Sequence, residues 1–202
     1  MAAVIHVDAT PEPASFDKQV RQKGLAWLKK QKISLNRKAP AGTKFQTFWR
    51  SCLDHLYQQH DGICSYLAVH FERVTGAGSV DHFIAKSQKA GMAYEWTNFR
   101  LACSAMNSAK NVYDDVLDPF EVKDRWFHLN LVTGEISANR RIKLTTKVEV
   151  NSTIARLGLN EPAICEMRAR HYQEYCQGRY DDVFLKSRSP FVWMEAQRQG
   201  LL

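Results

Sequence analysis

"SVDHFIAKSQKAGMAYEWTNFRLACSAMNSAK", residues 79–110, contains several polar side chains that a plain core strand or helix avoids. The polar positions of interest are Asp81, His82, Asn98, Asn107 and Lys110. Carboxylate and carboxamide oxygens are ligands for hard metal ions, a neutral imidazole activates water, and an ammonium group attracts phosphate. The stretch therefore indicates a site that holds a metal, a water and a phosphate together.

Sequence patterns around this stretch predict a β-hairpin, a long loop and a short helix, in that order. Apolar runs on both sides of a glycine-rich turn predict the strands, and a segment without a sustained period predicts the loop. The predicted elements are a strand over ICSYLAVHFERV (63–74), a turn at TGAGS (75–79), a returning strand over VDHFIA (80–85), a loop over KSQKAGMAYEWTN (86–98) and a helix over SAMNSAKNVY (104–113). Ser104 is the expected N-cap of that helix.

A hairpin end that crosses this helix would bring the polar groups into one site. Asn107 and Lys110 are three residues apart, so on a helix they project from nearly the same face. Consecutive strand residues point to opposite faces, so Asp81 and His82 share a site only where the strand end is twisted or bulged. Such a site suits phosphodiester hydrolysis, with the imidazole as general base and a divalent cation, held by oxygen ligands, neutralising the phosphoryl charge.

The same residues resemble the HNH endonuclease motif, whose fold is a ββα-metal finger. Asp81-His82, Asn98 in EWTNFRLAC and Asn107 in CSAMNSAK stand at the family's intervals, 16 residues from His82 to Asn98 and 9 from Asn98 to Asn107. The last position is asparagine where many members carry histidine, which favours an oxygen-rich, magnesium-like site over a zinc-like one. The resemblance implies an α+β fold in which an HNH ββα-metal core is embedded in surrounding helices, with an extra C-terminal β-hairpin and helices.

The resemblance also implies a role for each residue of the motif. His82 would be the general base on the attacking water, and Asp81 and Asn107 would ligate one divalent metal ion, Mg²⁺ or Mn²⁺. Asn98 would brace the loop so that the strand and the helix keep their spacing. Lys110 would contact the phosphate next to the cut. The products would carry 5′-phosphate and 3′-hydroxyl ends.

The likeness extends over roughly Leu56 to Tyr172. VLDPFEVKDRWFHLNLVTGEIS (116–137) and STIARLGLNEPAICEMRARHY (152–172) resemble the C-terminal portion of small HNH proteins of bacterial anti-phage systems, notably the nuclease subunit of Septu-type defence. Those proteins are paired with a separate ATPase. We expect one globular unit built from three consecutive segments: a basic arm and helix (1–40), the nuclease core with its preceding amphipathic helix (41–120), and a hairpin and helical extension (121–202).

One departure from the family concerns zinc. Family members often flank the site with two Cys-x-x-Cys knuckles that bind a structural zinc, but here the knuckles read Cys64-Ser-Tyr-Leu67 and Cys103-Ser-Ala-Met106. Two thiolates are half of a tetrahedral site. We therefore expect no structural zinc, with apolar packing of Leu67 and Met106 in its place. The histidines that could complete a zinc site are His60 and His70.

The positive charge of the chain lies in one segment. Lys and Arg number 28 against 21 Asp and Glu, which gives a net charge of +7. Between Lys18 and Arg50 there are ten basic residues and no acidic one, and removing these ten leaves 18 against 21, a net −3. This basic block suits nucleic acid, and the alternative is a solvated face without a ligand. The residues expected to bind nucleic acid are Lys29, Lys30, Lys32, Arg37, Lys38, Lys86, Lys89 and Arg100.

Further helices and a second hairpin are expected outside the motif. An apolar stripe over residues 42–62 predicts the clearest helix, ended by Asp61-Gly62. The other expected elements are a hairpin over 125–137 that turns at Thr133-Gly134, a helix over 150–158 closed by Gly158, a helix over 161–177 capped by Asn160, and a last helix over 189–202.

Composition and the motif together define the expected function. Hydrophobic residues make up 45% of the chain, which indicates a folded domain. Without a recognised signal peptide or a membrane-length apolar run, a reducing cytoplasm is the expected compartment, and no membrane partner is expected. The expected function is a metal-dependent HNH endonuclease that hydrolyses DNA in a bacterial anti-phage defence system. Two alternatives stay open: a catalytically inactive HNH-fold module that binds nucleic acid, and a subunit that only binds a partner protein.

Overall fold

The computed structural model describes residues 7–202, which form helices and two small antiparallel sheets. The α-helices are α1 (Gln22–Lys30), α2 (Leu53–Gln59), α3 (Arg73–Gly76), α4 (Ser104–Lys110), α5 (Leu144–Leu157), α6 (Pro162–Cys176), α7 (Asp182–Arg188) and α8 (Pro190–Arg198). The strands are β1 (Ser79–His82), β2 (Phe99–Ala102), β3 (Phe127–Leu129) and β4 (Ile136–Ala138). The expected α+β class is confirmed at this level. Over the same residues, every helix is too short or too polar to cross a membrane.

The chain divides into two compact units that interleave along the sequence. The N-terminal unit comprises residues 9–62 and 72–114, and the C-terminal unit comprises residues 63–71 and 115–202 together with the short segment 7–8. This division differs from the three consecutive segments expected from the sequence. Residues 63–71 pack with the C-terminal unit, although the chain on both sides of them belongs to the N-terminal unit.

The first helical segment buries one face in the core of the N-terminal unit. A π-helical turn over Asp17–Arg21 runs into α1, and Val20, Gly24 and Leu28 are buried at four-residue intervals. A Cβ atom at Gly24 would lie 2.1 Å from the ring of Tyr94, which is itself buried. Glycine at this position therefore allows the close approach of helix and ring.

The apolar stripe of residues 42–62 forms two short helical segments rather than one helix. A 3₁₀-helix over Phe48–Cys52 is followed directly by α2. The buried side chains of the stripe include Trp49, Cys52 and Leu56. The predicted end of the helix is confirmed, since Asp61 and Gly62 both take positive φ angles, 49° and 68°.

The strand predicted over residues 63–74 is wrong. A single isolated bridge joins Ile63 to His70, and between them the amide of Ala68 donates to the carbonyl oxygen of Cys64 at 2.9 Å, which closes a tight turn. The end of the predicted strand is helix α3. A short apolar run indicates burial, but it does not distinguish a strand from another buried segment.

The hairpin of the N-terminal unit pairs β1 with β2 instead. The pairing is antiparallel and regular, with Asp81 opposite Arg100 and His82 opposite Phe99. Helix α4 begins two residues after β2 and packs against both strands. The predicted short helix is thus confirmed, although its N-cap is Cys103 rather than Ser104.

The second hairpin and the helices that follow it build the C-terminal unit. Strands β3 and β4 pair as predicted, with Gly134 at the turn, and α5 ends at Gly158, which is left-handed at φ 60°. The N-cap of α6 is Glu161 rather than the expected Asn160. The Asn160 carboxamide instead bonds both the backbone N and the backbone O of Ile136, each at 2.8 Å, and so ties the α5–α6 turn to β4.

A buried guanidinium joins the same hairpin to the helices. The Nη1 atom of Arg168 donates to the carbonyl oxygens of Gly134, at 3.2 Å, and Leu159, at 2.6 Å. Burial lowers the pKa of Arg168 to about 10. Helix α6 passes so near the hairpin that a Cβ atom at Gly134 would lie 1.9 Å from the carbonyl oxygen of Cys165.

Replacing Gly134 with alanine should destabilise the C-terminal unit by about 2–5 kcal/mol, the sum of a left-handed backbone cost and a steric clash. Its φ is +73°, and the clash is with backbone, which cannot rotate away. Gly178→Ala is the matched control, because Gly178 has a φ of +70° and no atom within 4 Å of the added Cβ. Urea unfolding followed by circular dichroism measures both. Equal losses in the two variants would contradict the close contact at Gly134.

Candidate active site

One cavity of the N-terminal unit lies among β1, α4 and the 3₁₀-helix over Phe48–Cys52. Its volume is about 680 Å³, and its lining includes three residues of the motif, Asp81, His82 and Asn107. The other polar or charged side chains that line it are Thr43, Arg50, Ser79, Lys86, Ser87 and Asn111. Of the two expected possibilities, a twisted or a bulged strand end, the bulge is not found, because β1 pairs with β2 residue by residue up to His82. Both neighbours nevertheless reach the same cavity at the end of the strand.

His82 is held by one hydrogen bond and two aromatic rings. Its Nε2 atom lies 3.0 Å from the carbonyl oxygen of Ala93. The ring centroids of Trp49 and Phe99 lie 4.6 Å and 5.2 Å from that of His82, each edge to face. Because a carbonyl oxygen only accepts, Nε2 carries the proton and Nδ1 keeps its lone pair. In this tautomer Nδ1 is the nitrogen that can accept a proton from water.

The environment of His82 keeps its imidazole neutral. Burial is the main cause that lowers the pKa of His82 to about 3, and the positive charges of Lys86 and Lys110 act in the same direction. The hydrogen bond to Ala93 acts in the opposite direction and is outweighed. At neutral pH the ring is therefore a proton acceptor rather than an imidazolium ion.

A fully buried lysine links the two strand residues to the helix. The Nζ atom of Lys110 lies 3.5 Å from Oδ2 of Asp81 and donates to the carbonyl oxygen of His82 at 3.0 Å. The same ammonium lies 5.5 Å from the ring centroid of Phe83. Lys110 of α4 thus contacts two neighbouring residues of β1: the carboxylate of Asp81 and the backbone carbonyl of His82.

This placement does not fit the expected role of Lys110 as a phosphate contact. Its side chain is 0% exposed, and it does not line the cavity. The physical reason is that α4 packs directly on β1, which turns the ammonium toward the strand backbone. In the folded unit Lys110 fixes the position of the site instead of touching a substrate.

Asn98 makes three hydrogen bonds that close the loop between β1 and β2. Its Oδ1 atom accepts from the amide of Ile84 at 2.7 Å, and its Nδ2 atom donates to the carbonyl oxygens of Ile84 and Met92, both at 2.9 Å. Ile84 lies two residues after His82, and Met92 lies next to Ala93, whose carbonyl holds the imidazole. The buried carboxamide therefore fixes both the chain that follows His82 and the segment whose Ala93 carbonyl bonds the imidazole. It does not line the cavity itself.

Two cationic side chains in the cavity are better placed for phosphate than Lys110. Lys86 is half-buried, with its Nζ atom 5.4 Å from the ring centroid of Trp49. Its pKa is lowered, mainly by burial and further by Lys110, while Asp81 acts in the opposite direction. Arg50 also lines the cavity and is exposed. The sequence placed Arg50 only in the basic block, since it stands far from the motif along the chain.

Most residues expected to bind nucleic acid are on the surface of the N-terminal unit. The exposed ones are Lys29, Lys30, Lys32, Arg37, Lys38 and Lys89. The expected contact of Arg100 with nucleic acid does not fit the structure. Arg100 is 3% exposed, and its Nη1 atom donates to the carbonyl oxygens of Thr97 and Phe99, both at 2.9 Å. Its guanidinium carbon lies 5.3 Å from the ring centroid of Phe83. Arg100 therefore serves the packing of β2, and its side chain is not available to a DNA backbone.

The donor set of the cavity suits a hard cation that keeps most of its water. Within residues 7–202, no group of three or more His, Cys, Asp and Glu side chains could hold a metal ion. The set to be tested is the carboxylate of Asp81 and the carboxamide of Asn107, which line the same cavity. Two oxygen ligands completed by water match Mg²⁺ or Mn²⁺ coordination and not the closed four-ligand site of a structural zinc.

The two cysteines of the incomplete knuckles belong to different units. Cys64 lies in the C-terminal unit and Cys103 in the N-terminal unit, and both are buried. Met106, where the family has a cysteine, is buried in the core, and Leu67 is half-buried. The positions of the missing thiols are thus occupied by apolar side chains with little exposed surface.

Comparison with known proteins adds no family to this description. A scan against protein-family models and a search of curated proteins both find no match to the chain. The functional argument therefore depends on the cavity and on the side chains that line it.

Proposed function

We propose that the N-terminal unit is the catalytic part of a metal-dependent HNH-type endonuclease that hydrolyses DNA phosphodiester bonds. The observation that carries the proposal is the convergence of Asp81, His82 and Asn107 on one cavity, beside the cations Arg50 and Lys86. The chain order of hairpin and short helix around that cavity supports an HNH ββα-metal core.

The side chains divide the work of hydrolysis between them. The Nδ1 atom of His82 accepts a proton from the attacking water, since Nε2 is committed to the carbonyl of Ala93. Arg50 and Lys86 attract the phosphate, and Asp81 and Asn107 would hold a divalent cation. When bound, such a cation lowers the pKa of a coordinated water and neutralises the developing charge. A histidine with a low pKa needs an acidified water of this kind.

The substrate and the biological setting come from the resemblance of the sequence. The nuclease subunit of Septu-type defence systems suggests DNA as substrate, a cytoplasmic anti-phage role and a separate ATPase as partner. The exposed lysines of the basic block, Lys29, Lys30 and Lys32, supply positive charge that suits a DNA backbone. These proposals depend on the resemblance of the sequence and not on the geometry of the cavity.

One observation favours the alternative of a catalytically inactive HNH-fold subunit. The carboxylate of Asp81 is buried 3.5 Å from the ammonium of Lys110, so its charge is balanced within the fold. A cation would have to bind beside this ion pair. An inactive subunit would bind DNA or a partner protein without any dependence on metal.

A metal titration distinguishes these functions. Wild-type protein, alone or with its ATPase partner, should nick or linearise supercoiled plasmid in Mg²⁺ or Mn²⁺. The addition of EDTA should stop this cleavage. Asp81→Asn should lower the cleavage rate by on the order of 10²-fold, because a metal ligand contributes several kcal/mol to charge stabilisation. In variant protein that thermal melting shows to be folded despite the loss of the Lys110 ion pair, the binding of Mn²⁺ measured by calorimetry should also be weaker.

Asp114→Asn is the matched control for this titration. Asp114 is an exposed aspartate of the same unit that lies outside the cavity, so its variant should behave like wild type. Cleavage that is unchanged by EDTA, or by Asp81→Asn, would contradict the metal-dependent mechanism. DNA binding without cleavage at any metal concentration would favour the inactive alternative.

A further inference from the structure

A second polar cavity lies in the C-terminal unit, beside the β3–β4 hairpin, the loop that follows it and the end of α8. Its volume is about 860 Å³. The lining residues that matter are Arg125, Arg140, Arg141 and Arg198, together with His128 and Asn139. Aspartate, glutamate and aromatic rings other than His128 are absent from the lining among the described residues. We call this cavity the arginine cavity.

Three of its arginines lack an acidic partner. The side chains of Arg125, Arg140 and Arg141 are exposed, and none forms an ion pair with another residue between 7 and 202. Two other surface arginines of the same unit are paired, Arg156 with Asp115 and Arg179 with Glu174. Like charges that share a cavity repel one another, so the cluster is a local concentration of positive potential that an anion would relieve.

The fourth arginine is held in place by a buried carboxylate. The Nε atom of Arg198 donates to Oε2 of Glu195 at 3.0 Å, and Glu195 is 1% exposed. Burial would raise the pKa of Glu195, but hydrogen bonds from Arg198 and Gln199 outweigh it and lower the pKa. The Nδ1 atom of His128 lies 2.9 Å from both Glu195 Oε1 and Arg198 Nη2. One guanidinium of the cavity is therefore anchored to the framework of the unit.

Hydrogen bonds also fix the loop after β4, which carries Arg140 and Arg141. The amide of Asn139 donates to the carbonyl oxygen of Trp126 at 2.9 Å, and its side-chain Oδ1 accepts from the amide of Arg141 at 2.9 Å. Arg125 takes a φ of 65°, a left-handed conformation that a non-glycine residue rarely adopts. The guanidinium groups are thus presented by a closed turn beside the hairpin rather than by an open loop.

We propose that the arginine cavity binds the phosphate backbone of nucleic acid. Guanidinium forks match phosphate oxygens in bidentate geometry, and several unpaired ones side by side suit a chain of phosphates. Because Trp, Tyr and Phe are absent from its lining among residues 7–202, the cavity offers bases no stacking surface. It therefore recognises the charge of the phosphates and not the base sequence. The proposal stands whether or not the N-terminal unit hydrolyses DNA, because it concerns binding alone.

Salt dependence of binding tests the arginine cavity directly. The chain of residues 1–202 is titrated with a fluorescent, random-sequence duplex in EDTA, at salt concentrations from about 50 to 200 mM. Arg140→Gln/Arg141→Gln should lower the slope of log affinity against log salt by about 2, since each lost phosphate contact removes about 0.9. The affinity at the lowest salt concentration should fall by about 10-fold or more. Arg125→Gln, tested alone, should lower the slope by about 1.

Arg170→Gln/Arg179→Gln is the matched control, because it removes the same charge from exposed positions of the C-terminal unit outside the cavity. It should leave both affinity and slope near those of wild type. Thermal melting confirms that each variant is folded. Wild-type affinity and slope in both cavity variants would overturn the proposal.

Two further measurements separate the possible sources of phosphate and the two proposals. Inorganic phosphate and ATP should compete weakly with the duplex, whereas heparin should displace it. Saturable ATP binding that Arg140→Gln/Arg141→Gln abolishes, with duplex affinity unchanged, would make this a nucleotide site and overturn the inference. A wild-type chain that binds duplex through the arginines but never cuts plasmid, either alone or with its ATPase partner, refutes the nuclease proposal alone. A chain that cuts plasmid while the cavity variants bind like wild type refutes the arginine proposal alone.

Discussion

Replacing His82 with alanine should lower the rate of plasmid cleavage by on the order of 10²–10⁴-fold, the usual contribution of a general base. The neutral imidazole has its Nε2–H bonded to Ala93 and its Nδ1 lone pair available, so alanine removes the proton acceptor of the proposed site. DNA affinity measured in EDTA should stay near that of wild type, because a neutral ring contributes no charge to phosphate binding. Single-turnover cleavage at saturating Mg²⁺ measures the chemical step.

His55→Ala is the control for removing a ring from this unit. His55 is half-buried against Trp96, at a centroid distance of 5.6 Å, and does not line the cavity. It should cleave plasmid at the wild-type rate once thermal melting shows that it is folded. Equal cleavage by His82→Ala and wild type would rule out His82 as the base.

Replacing Asn98 with alanine should destabilise the N-terminal unit by about 3 kcal/mol, because three hydrogen bonds of a buried carboxamide are lost at about 1 kcal/mol each. Asn98→Asp should cost at least as much. The aspartate keeps an acceptor for the amide of Ile84 but sets a second oxygen against the carbonyl oxygens of Ile84 and Met92. Urea unfolding of both variants gives the free energies.

Asn36→Ala provides the reference for a carboxamide without buried contacts. Asn36 is exposed in a loop of the same unit, and its loss should change stability by no more than about 0.5 kcal/mol. A smaller loss in Asn98→Asp than in Asn98→Ala would contradict the assignment of the side-chain nitrogen as donor to two carbonyls.

Local patterns predicted the elements whose signals lie in adjacent residues. Helix α4, the β3–β4 hairpin and the left-handed end of α5 at Gly158 were predicted because caps and turns depend on a few neighbouring residues. The strand over residues 63–74 was wrong, and β2 was missed, because both depend on which distant segment supplies the partner. Phe99–Ala102 is four residues long and fully buried, so it carries no alternation that could mark it.

The candidate site was predicted in part for the same reason. Spacing along the chain was enough to single out Asp81, His82 and Asn107, which line one cavity. Spacing carries no information on burial, so Lys110 and Arg100 were assigned to phosphate although their side chains lie inside the unit. Net charge also concealed the arginine cavity, because its four arginines lie in the part of the chain where acidic residues are in excess.

The burial of Lys110 has a consequence for how loss of function is interpreted in this molecule. Amine-reactive reagents used to footprint a bound duplex will not label an ammonium without exposed surface. Substitution of Lys110 would separate α4 from β1 and leave the Asp81 carboxylate buried without its counter-ion. Activity would then be lost because the N-terminal unit becomes disordered. A mutational survey that ranks residues by residual turnover would then count a structural lysine among the chemical groups.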